Sequence, residues 1–289
     1  MKLFIKLLSK YKFFILLIFF LTLLILGLWA FWFEPSRFIT TTTHIKIHQW
    51  SAKCDSLKIV VLSDLHVGSP HNDLNNLRKV VEATNTIQPD LILLAGDFVI
   101  HEVIGGDFVK PELIAPELKK LQAKLGVYAV LGNHDWWYSG WKMQEIFRRE
   151  QISLLENKAI LLKNGSCQFW LAGIGDYWGA HFDTDKALRG VPEKDVVIAF
   201  THNPDIFYEL PFRIAITFAG HTHGGQVNLP LLGRLIVPSQ YGEKLASGYI
   251  AEGRRNMFVT TGIGTSILPV RFRVPPEIAV VYLHSRSSH

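Results

Sequence analysis

Cysteine is scarce: Cys54 and Cys167 are the only two in 289 residues. So few thiols exclude a multi-disulfide framework and a zinc site built on cysteine, and on their own they leave the compartment open. No run of basic residues marks a nucleic-acid surface, although the net charge is +5, which fits an anionic surface or substrate. Internal repeats and low-complexity linkers are also lacking, so nothing divides the chain beyond its first segment into separate domains.

What the chain does have is apolar residues, 48% of the total, in excess at one end. Residues 13–33 carry no charge, with only Thr22 and Gly27 as weak interruptions. At 1.5 Å per residue that run crosses a bilayer core of ~30 Å as a helix. Trp29 and Trp32 stand at its end, where interfacial aromatics belong. A cleaved signal peptide is the rival reading, but Ala30 among Trp29, Phe31 and Trp32 makes a poor cleavage site. Lys2, Lys6, Lys10 and Lys12 precede the run. The positive-inside rule therefore predicts a single-pass inner-membrane protein with its main domain on the outer face, against a weak counter-bias from Arg37, Lys46 and Lys53.

After the anchor, the threonines at 40–43 read as a spacer and "HIKIHQW" as a strand. "LKIVVLS", "DLILLAG", "GVYAVLG", "AILL", "QFWLAGI", "DVVIAFT" and "RIAITFA" read as buried strands, followed by "LIV", "GYIA", "MFVTT" and "EIAVVYL". Helical spacing covers 74–87, 111–124 and 141–151. Helices alternate with strands early and strands dominate late, which predicts mixed sheets with helices outside.

The strand ends carry the chemistry. Asp64 and His66 follow one strand, Asp97 the next, and Asn133, His134 and Asp135 a third. His202 follows a fourth, and "GHTHGGQ", with His221 and His223, a fifth. One such ending is weak, since an Asp can cap a loop and a His can be structural. Five at the same end of five strands point to one site. Two Asp, one Asn and four His offer oxygen and nitrogen and no sulfur, a set suited to Mn, Fe or Zn. Seven ligands are too many for one open catalytic ion. They suit two ions ~3.5–4 Å apart that clamp a phosphoryl group and activate a water.

"DLH", "GDF", "GNHD", "TH" and "GHTH" resemble the five motifs of the calcineurin-like metallophosphoesterases. The tail "TTGIGTSILPVRFRVPPEI" resembles the membrane-anchored bacterial branch of that family, which includes phosphodiesterases and UDP-2,3-diacylglucosamine hydrolases. The resemblance implies an α+β fold, a four-layer αββα sandwich preceded by one transmembrane helix. It implies the division 1–12 basic segment, 13–33 anchor, 34–56 spacer and first strand, and 57–289 phosphoesterase domain. It gives one divalent ion to Asp64, His66 and His223, a second to Asn133, His202 and His221, and makes Asp97 the bridge. His134 is left free to assist the leaving group, with Asp135 either holding its ring or capping a helix. Two departures stand out. Asp135 replaces the more usual Glu of the third motif, and "GDFVIHEV" lacks the second motif's further Asp and Arg. The implied substrate is a phosphoester, lipid-linked given the anchor, with no nucleic-acid partner. The competing reading is a non-catalytic metal-binding scaffold on the same fold.

Trp136, Trp137 and Tyr138 are either core aromatics or a wall beside the metals. Arg271 and Arg273 read as a solvated charge pair, with binding of phosphate or membrane lipid as the alternative. His44, His48, His101, His181, His284 and His289 read as surface or packing residues.

Overall fold

The computed structural model describes residues 2–48, 50–179 and 182–286, so His181 and His289 lie outside the described residues. Helix α1 (Lys2–Leu28) continues into a wider π-helical turn, Trp29–Phe33. Its apolar stretch Tyr11–Phe33 is long enough to cross a membrane and is almost wholly exposed.

The chain then enters β1 (Ile39–Ile47), so the threonines read as a spacer are part of a strand. They escaped the sequence pattern because β1 is an edge strand whose first residues face outward. Among the described residues its one strand partner is β12, from the other end of the chain.

Next come β2 (Leu57–Leu62), α2 (Leu74–Ile87), β3 (Leu91–Ala95), α3 (Pro111–Leu118), β4 (Val127–Val130), α4 (Asn133–Arg149) and β5 (Ser153–Leu154). Asp73 caps α2 by accepting from the Asn76 amide at 2.8 Å. Helix α3 stops earlier than its apolar spacing suggested, because the chain turns after Leu118 and the Leu125 amide bonds the Asp90 carbonyl on the way into β4. Helix α4 starts earlier than predicted, at the "GNHD" motif itself, and is kinked at Ser139.

The second half supplies β6 (Lys158–Asn164), β7 (Cys167–Gly173), α5 (Thr184–Ala187), β8 (Val197–Phe200), β9 (Ile214–Ala219), β10 (Gly248–Glu252), β11 (Arg255–Val259) and β12 (Glu277–Ser285). The "LIV" segment, Leu235 to Val237, is not a strand.

Two six-stranded mixed sheets result, ordered β1-β12-β2-β3-β4-β5 and β10-β11-β9-β8-β7-β6. Between them lies a core of side chains from both, including Ile59, Val61, Leu93, Phe169, Phe200 and Phe218. The first sheet's outer face packs on α2, α3 and α4 through Leu77, Val80, Ile114 and Phe147. The second sheet's outer face is covered more thinly, by α5 and the helical turn Pro204–Tyr208. The layering is αββα, as expected. Strands β2, β3, β4, β8 and β9 all deliver their carboxyl ends to the same edge of the sandwich, which is where the candidate ligands follow.

The two cysteines, too few for a framework, do form one bridge. Cys54–Cys167 joins the turn before β2 to the start of β7. The partners are 113 residues apart, so nothing local in the sequence announces the pairing.

Candidate metal centre

Seven side chains converge where the two sheets meet. Asp64, His66 and His223 form one group, and Asp97, His202 and His221 a second, with all offered ligand atoms of each group within 4.8 Å of one another. In the first, His66 Nε2 lies 3.2 Å from His223 Nε2, which is 3.4 Å from Asp64 Oδ1. In the second, His202 Nε2 lies 3.1 Å from His221 Nδ1, 3.1 Å from Asn133 Oδ1 and 3.2 Å from Asp97 Oδ2. The same Asp97 Oδ2 is 3.5 Å from His66 Nε2. One carboxylate oxygen thus faces an imidazole of each group.

The outer ring nitrogens explain which atoms point inward. His66 Nδ1 donates to the Val99 carbonyl at 3.1 Å and His202 Nδ1 to the Ala95 carbonyl at 2.7 Å. Those bonds fix ring orientation and leave Nε2 for a cation. Ring nitrogens facing ring nitrogens and carboxylates, all buried, are an arrangement that divalent ions satisfy and hydrogen bonds alone do not. The residues present therefore fit divalent metal.

Backbone geometry is bent to this end. Asp64, His66, Asp97, His221 and His223 all have positive φ, between 40° and 70°. Such conformations cost energy in non-glycine residues and cluster at functional sites. Glycines allow the close approaches. A Cβ on Gly132 would sit 2.2 Å from Asp97 Oδ1, and one on Gly220 would sit 2.6 Å from Asp64 Oδ2.

Electrostatics follows from burial. Desolvation raises Asp64 to about 6 and lowers His66 to about 3. Burial also opposes charge on His202, but Asp97, Asp64 and Asp176 outweigh it and hold its proton well above the usual range. Asp97 is correspondingly held low: burial works against its charge, and His202, His134 and His66 overcome it. A cation beside Asp97 would take over the place of that proton.

His134 borders the cavity above the cluster, which encloses about 490 Å³. Its Nε2 is 3.9 Å from Asp97 Oδ2, and it forms a third group with His66 and Asp97. Among the described residues its Nδ1 has no hydrogen-bond partner, and no hydrogen bond joins it to Asp135. Asp135 instead accepts from the amides of Gly132, Asp97, Phe98 and Val99 at 2.9 to 3.3 Å. It therefore clamps the helix start and the loop that carries Asp97, and its geometry is that of a cap. Burial lowers the pKa of His134, more than Asp97 raises it.

The residues outside the motifs divide between the sequence readings. Of the aromatics after "GNHD", only Trp137 lines the cavity, 5.0 Å from the His134 ring; Trp136 and Tyr138 pack against the helical core. His101 also lines the cavity, whereas His44 and His284 stack on each other at the far edge of the first sheet, and His48 is exposed.

Arg271 is not solvated: it is fully buried, and its guanidinium donates to the carbonyls of His223, Gly262, Gly264 and Val274. Arg273 is exposed, as expected. Two residues went unread. Trp178 meets the His221 ring edge-on at 4.4 Å, and buried Asp176 accepts from the amides of Trp178 and Gly179. Asp176 follows β7, so the strand-end signal that marked the candidate ligands was present there too.

The family model for calcineurin-like phosphoesterases matches residues 57–225. An uncharacterized metallophosphoesterase of Bacillus subtilis, YkuE, is 30% identical over 89% of each chain. The phosphodiesterase YaeI of Escherichia coli is 28% identical, covering 78% of this chain and 82% of its own. The UDP-2,3-diacylglucosamine pyrophosphatase LpxG of Chlamydia trachomatis is 27% identical, covering 88% of this chain and 91% of its own.

Proposed function

The chain belongs to the calcineurin-like phosphoesterase family, and we propose that it is a membrane-anchored, two-metal hydrolase of a phosphodiester or pyrophosphate bond in an amphiphilic molecule. The observation that carries this reading is Asp97 Oδ2, set between an imidazole of each ligand group. Asp64, His66 and His223 would hold one ion, Asn133, His202 and His221 the other, and Asp97 both; Mn, Fe or Zn suits the donor set. Bound ions would supply Lewis-acid stabilisation of phosphoryl oxygens and acidify a water.

The protein's own groups do the rest. His134 presents an N–H to the departing oxygen. Trp137 and Trp178, each about half exposed, flank the cavity and give apolar surface beside the reacting phosphorus. Among specific substrates UDP-2,3-diacylglucosamine leads, supported by the similarity to LpxG and by the anchor and opposed by an outer-face topology, since that nucleotide-lipid is expected in the cytoplasm. The test compares full-length protein on that nucleotide-lipid, a simple aryl phosphodiester and an aryl phosphomonoester. The diester or pyrophosphate should exceed the monoester in kcat/KM by tenfold or more, ~1.4 kcal/mol of transition-state preference. The reverse order excludes the proposal.

We place the domain on the outer face of the inner membrane. Two independent features support this: the lysines before the anchor, and the Cys54–Cys167 bridge, since disulfides persist in oxidising compartments. In spheroplasts, external protease should degrade the domain, and a thiol reagent should label the denatured protein only after reduction. A protected domain with two free thiols would put it in the cytoplasm. That outcome would also favour the nucleotide-lipid, which is expected on the cytoplasmic side, over another amphiphilic diester.

A further inference from the structure

We infer that the mouth of the metal cavity lies against the bilayer that holds α1, and that Leu231, Leu232, Leu235, Ile236, Ile267 and Leu268 form an apolar rim that enters the lipid surface. This rests on the reading of α1 as an anchor and deepens the proposed function, because substrate would then reach the metals directly from the membrane.

The rim stands out by exposure. Leu231 is fully exposed, Ile236 79%, Ile267 70%, Leu232 67%, Leu235 66% and Leu268 43%. Scattered exposed leucines are ordinary in soluble proteins. Six large aliphatics on two joined loops are not, and such patches mark protein or membrane contacts.

The loops are joined by backbone bonds. The Asn228 amide donates to the Phe272 carbonyl and the Phe272 amide to the Gln226 carbonyl, both at 2.9 Å, while Gln226 Oε1 accepts from the Ser266 amide at 2.7 Å. A turn closed by reciprocal bonds between Leu229 and Gly233 holds Leu231 and Leu232 at its tip.

The same loop is welded to the end of the anchor. The Arg271 amide donates to the Ala30 carbonyl at 2.9 Å, and Glu34, 3% exposed, accepts from the Val274 amide at 2.7 Å and from Trp29 Nε1 at 2.6 Å. His71 Nε2 bonds the Phe31 carbonyl from another side. The domain is therefore not tethered by a free linker, and its orientation to the helix is set.

Leu268 is three residues from Arg271, so at ~3.3–3.6 Å per residue it lies within roughly 11 Å of that junction. The headgroup zone on each side of the hydrocarbon core is several ångströms deep, which brings the rim within reach of lipid. Continuity with the site supplies the last link, since Ile236, Pro238 and Ile267 line the same cavity as His134 and His221. The exposed Arg273 stands beside the junction, and Arg37 lies over the Phe33 ring at 4.5 Å; both suit anionic headgroups.

The experiment uses the full chain in nanodiscs of phosphatidylethanolamine and phosphatidylglycerol. Because both native cysteines are paired, Leu231→Cys provides one reactive thiol for an environment-sensitive fluorophore. Arg254→Cys, exposed on the β10–β11 turn, is the reference position. The label at 231 should be several-fold less accessible to iodide than at 254 and quenched by spin-labelled lipid. Full iodide access at 231 overturns the proposal, as does shielding without lipid quenching, which would indicate a protein partner.

A second measurement separates this result from the substrate reading. Leu231→Ser with Leu235→Ser should lower turnover of a lipid-linked phosphodiester presented in vesicles by about tenfold, and leave a soluble aryl diester nearly unchanged, because only the membrane-presented substrate gains effective concentration from docking. Lipid quenching at 231 with no wild-type turnover of any lipid-linked substrate would keep the rim and remove the substrate proposal. An equal loss on both substrates would overturn the delivery role.

Discussion

Asp97→Asn should remove bound metal and turnover together, while His134→Ala should keep the metal and lose rate. The first substitution is close to isosteric. Asn can still accept from the His134 amide through Oδ1, as Asp97 now does at 2.9 Å, so the loop should stay in place. What disappears is the negative oxygen between His66 and His202. Changes one shell further out already cost ~10–100-fold in metal affinity, so loss of the shared carboxylate should exceed that range. The Nδ1 of His134 bonds nothing among the described residues, and a positioned proton donor contributes ~10²–10⁴-fold in rate. Elemental analysis of both purified variants, with turnover measured alongside, checks the pair. Equal metal loss in the two would make His134 a ligand, in keeping with its place in the group with His66 and Asp97.

Arg271→Met should be the most destabilising single change outside the ligands. The guanidinium is fully buried and serves four carbonyls at once, including that of His223. Burial lowers its pKa only to about 10, so it is charged at neutral pH, with Asp64, Glu277 and Glu34 favouring that charge. Removing one partner from such a buried network costs ~3–5 kcal/mol. For a domain of this size each kcal/mol is about 2–4 °C in Tm, so a fall of roughly 10 °C or more is expected. Arg271→Lys should recover little, because a compact ammonium cannot span carbonyls that a planar fork reaches. The damage should extend to the metals. The backbone that Arg271 holds at Gly262 and Gly264 packs on Asp64 and His66, where added Cβ atoms would sit 2.6 and 2.7 Å from the Cβ atoms of those residues. Thermal melts with and without Mn measure both effects. A variant within a degree or two of wild type would show that the guanidinium is dispensable.

These residues also mark what the sequence carries and what it hides. The continuous apolar runs gave β2, β3, β8 and β9 directly, because strands covered on both faces need nothing but apolar side chains. The candidate ligands at the strand ends followed from the same pattern. Arg271 was opaque because its burial depends on a loop folding between the helix end and His223, a contact between distant parts of the chain. The threonines of β1 and the Cys54–Cys167 bridge were hidden for the same reason: each partner lies more than a hundred residues away. Asp135 illustrates a different limit. Its sequence left a catalytic pair with His134 and a helix cap equally open, and the first turn of α4 directs the carboxylate to four backbone amides, the second of these. The loop 228–240 reads as a strand at "LIV" because apolar residues such as Leu235 and Ile236 suggest one unless a membrane is considered as their solvent.

The most direct test of the account is hydrolysis of bis(4-nitrophenyl) phosphate by the full-length protein, first stripped with chelator and then reloaded with Mn. The convergence of both ligand groups on Asp97 predicts turnover that is absent from the stripped protein and returns with the metal. A reloaded, folded protein that hydrolyses neither this diester, nor a phosphomonoester, nor a pyrophosphate would contradict it.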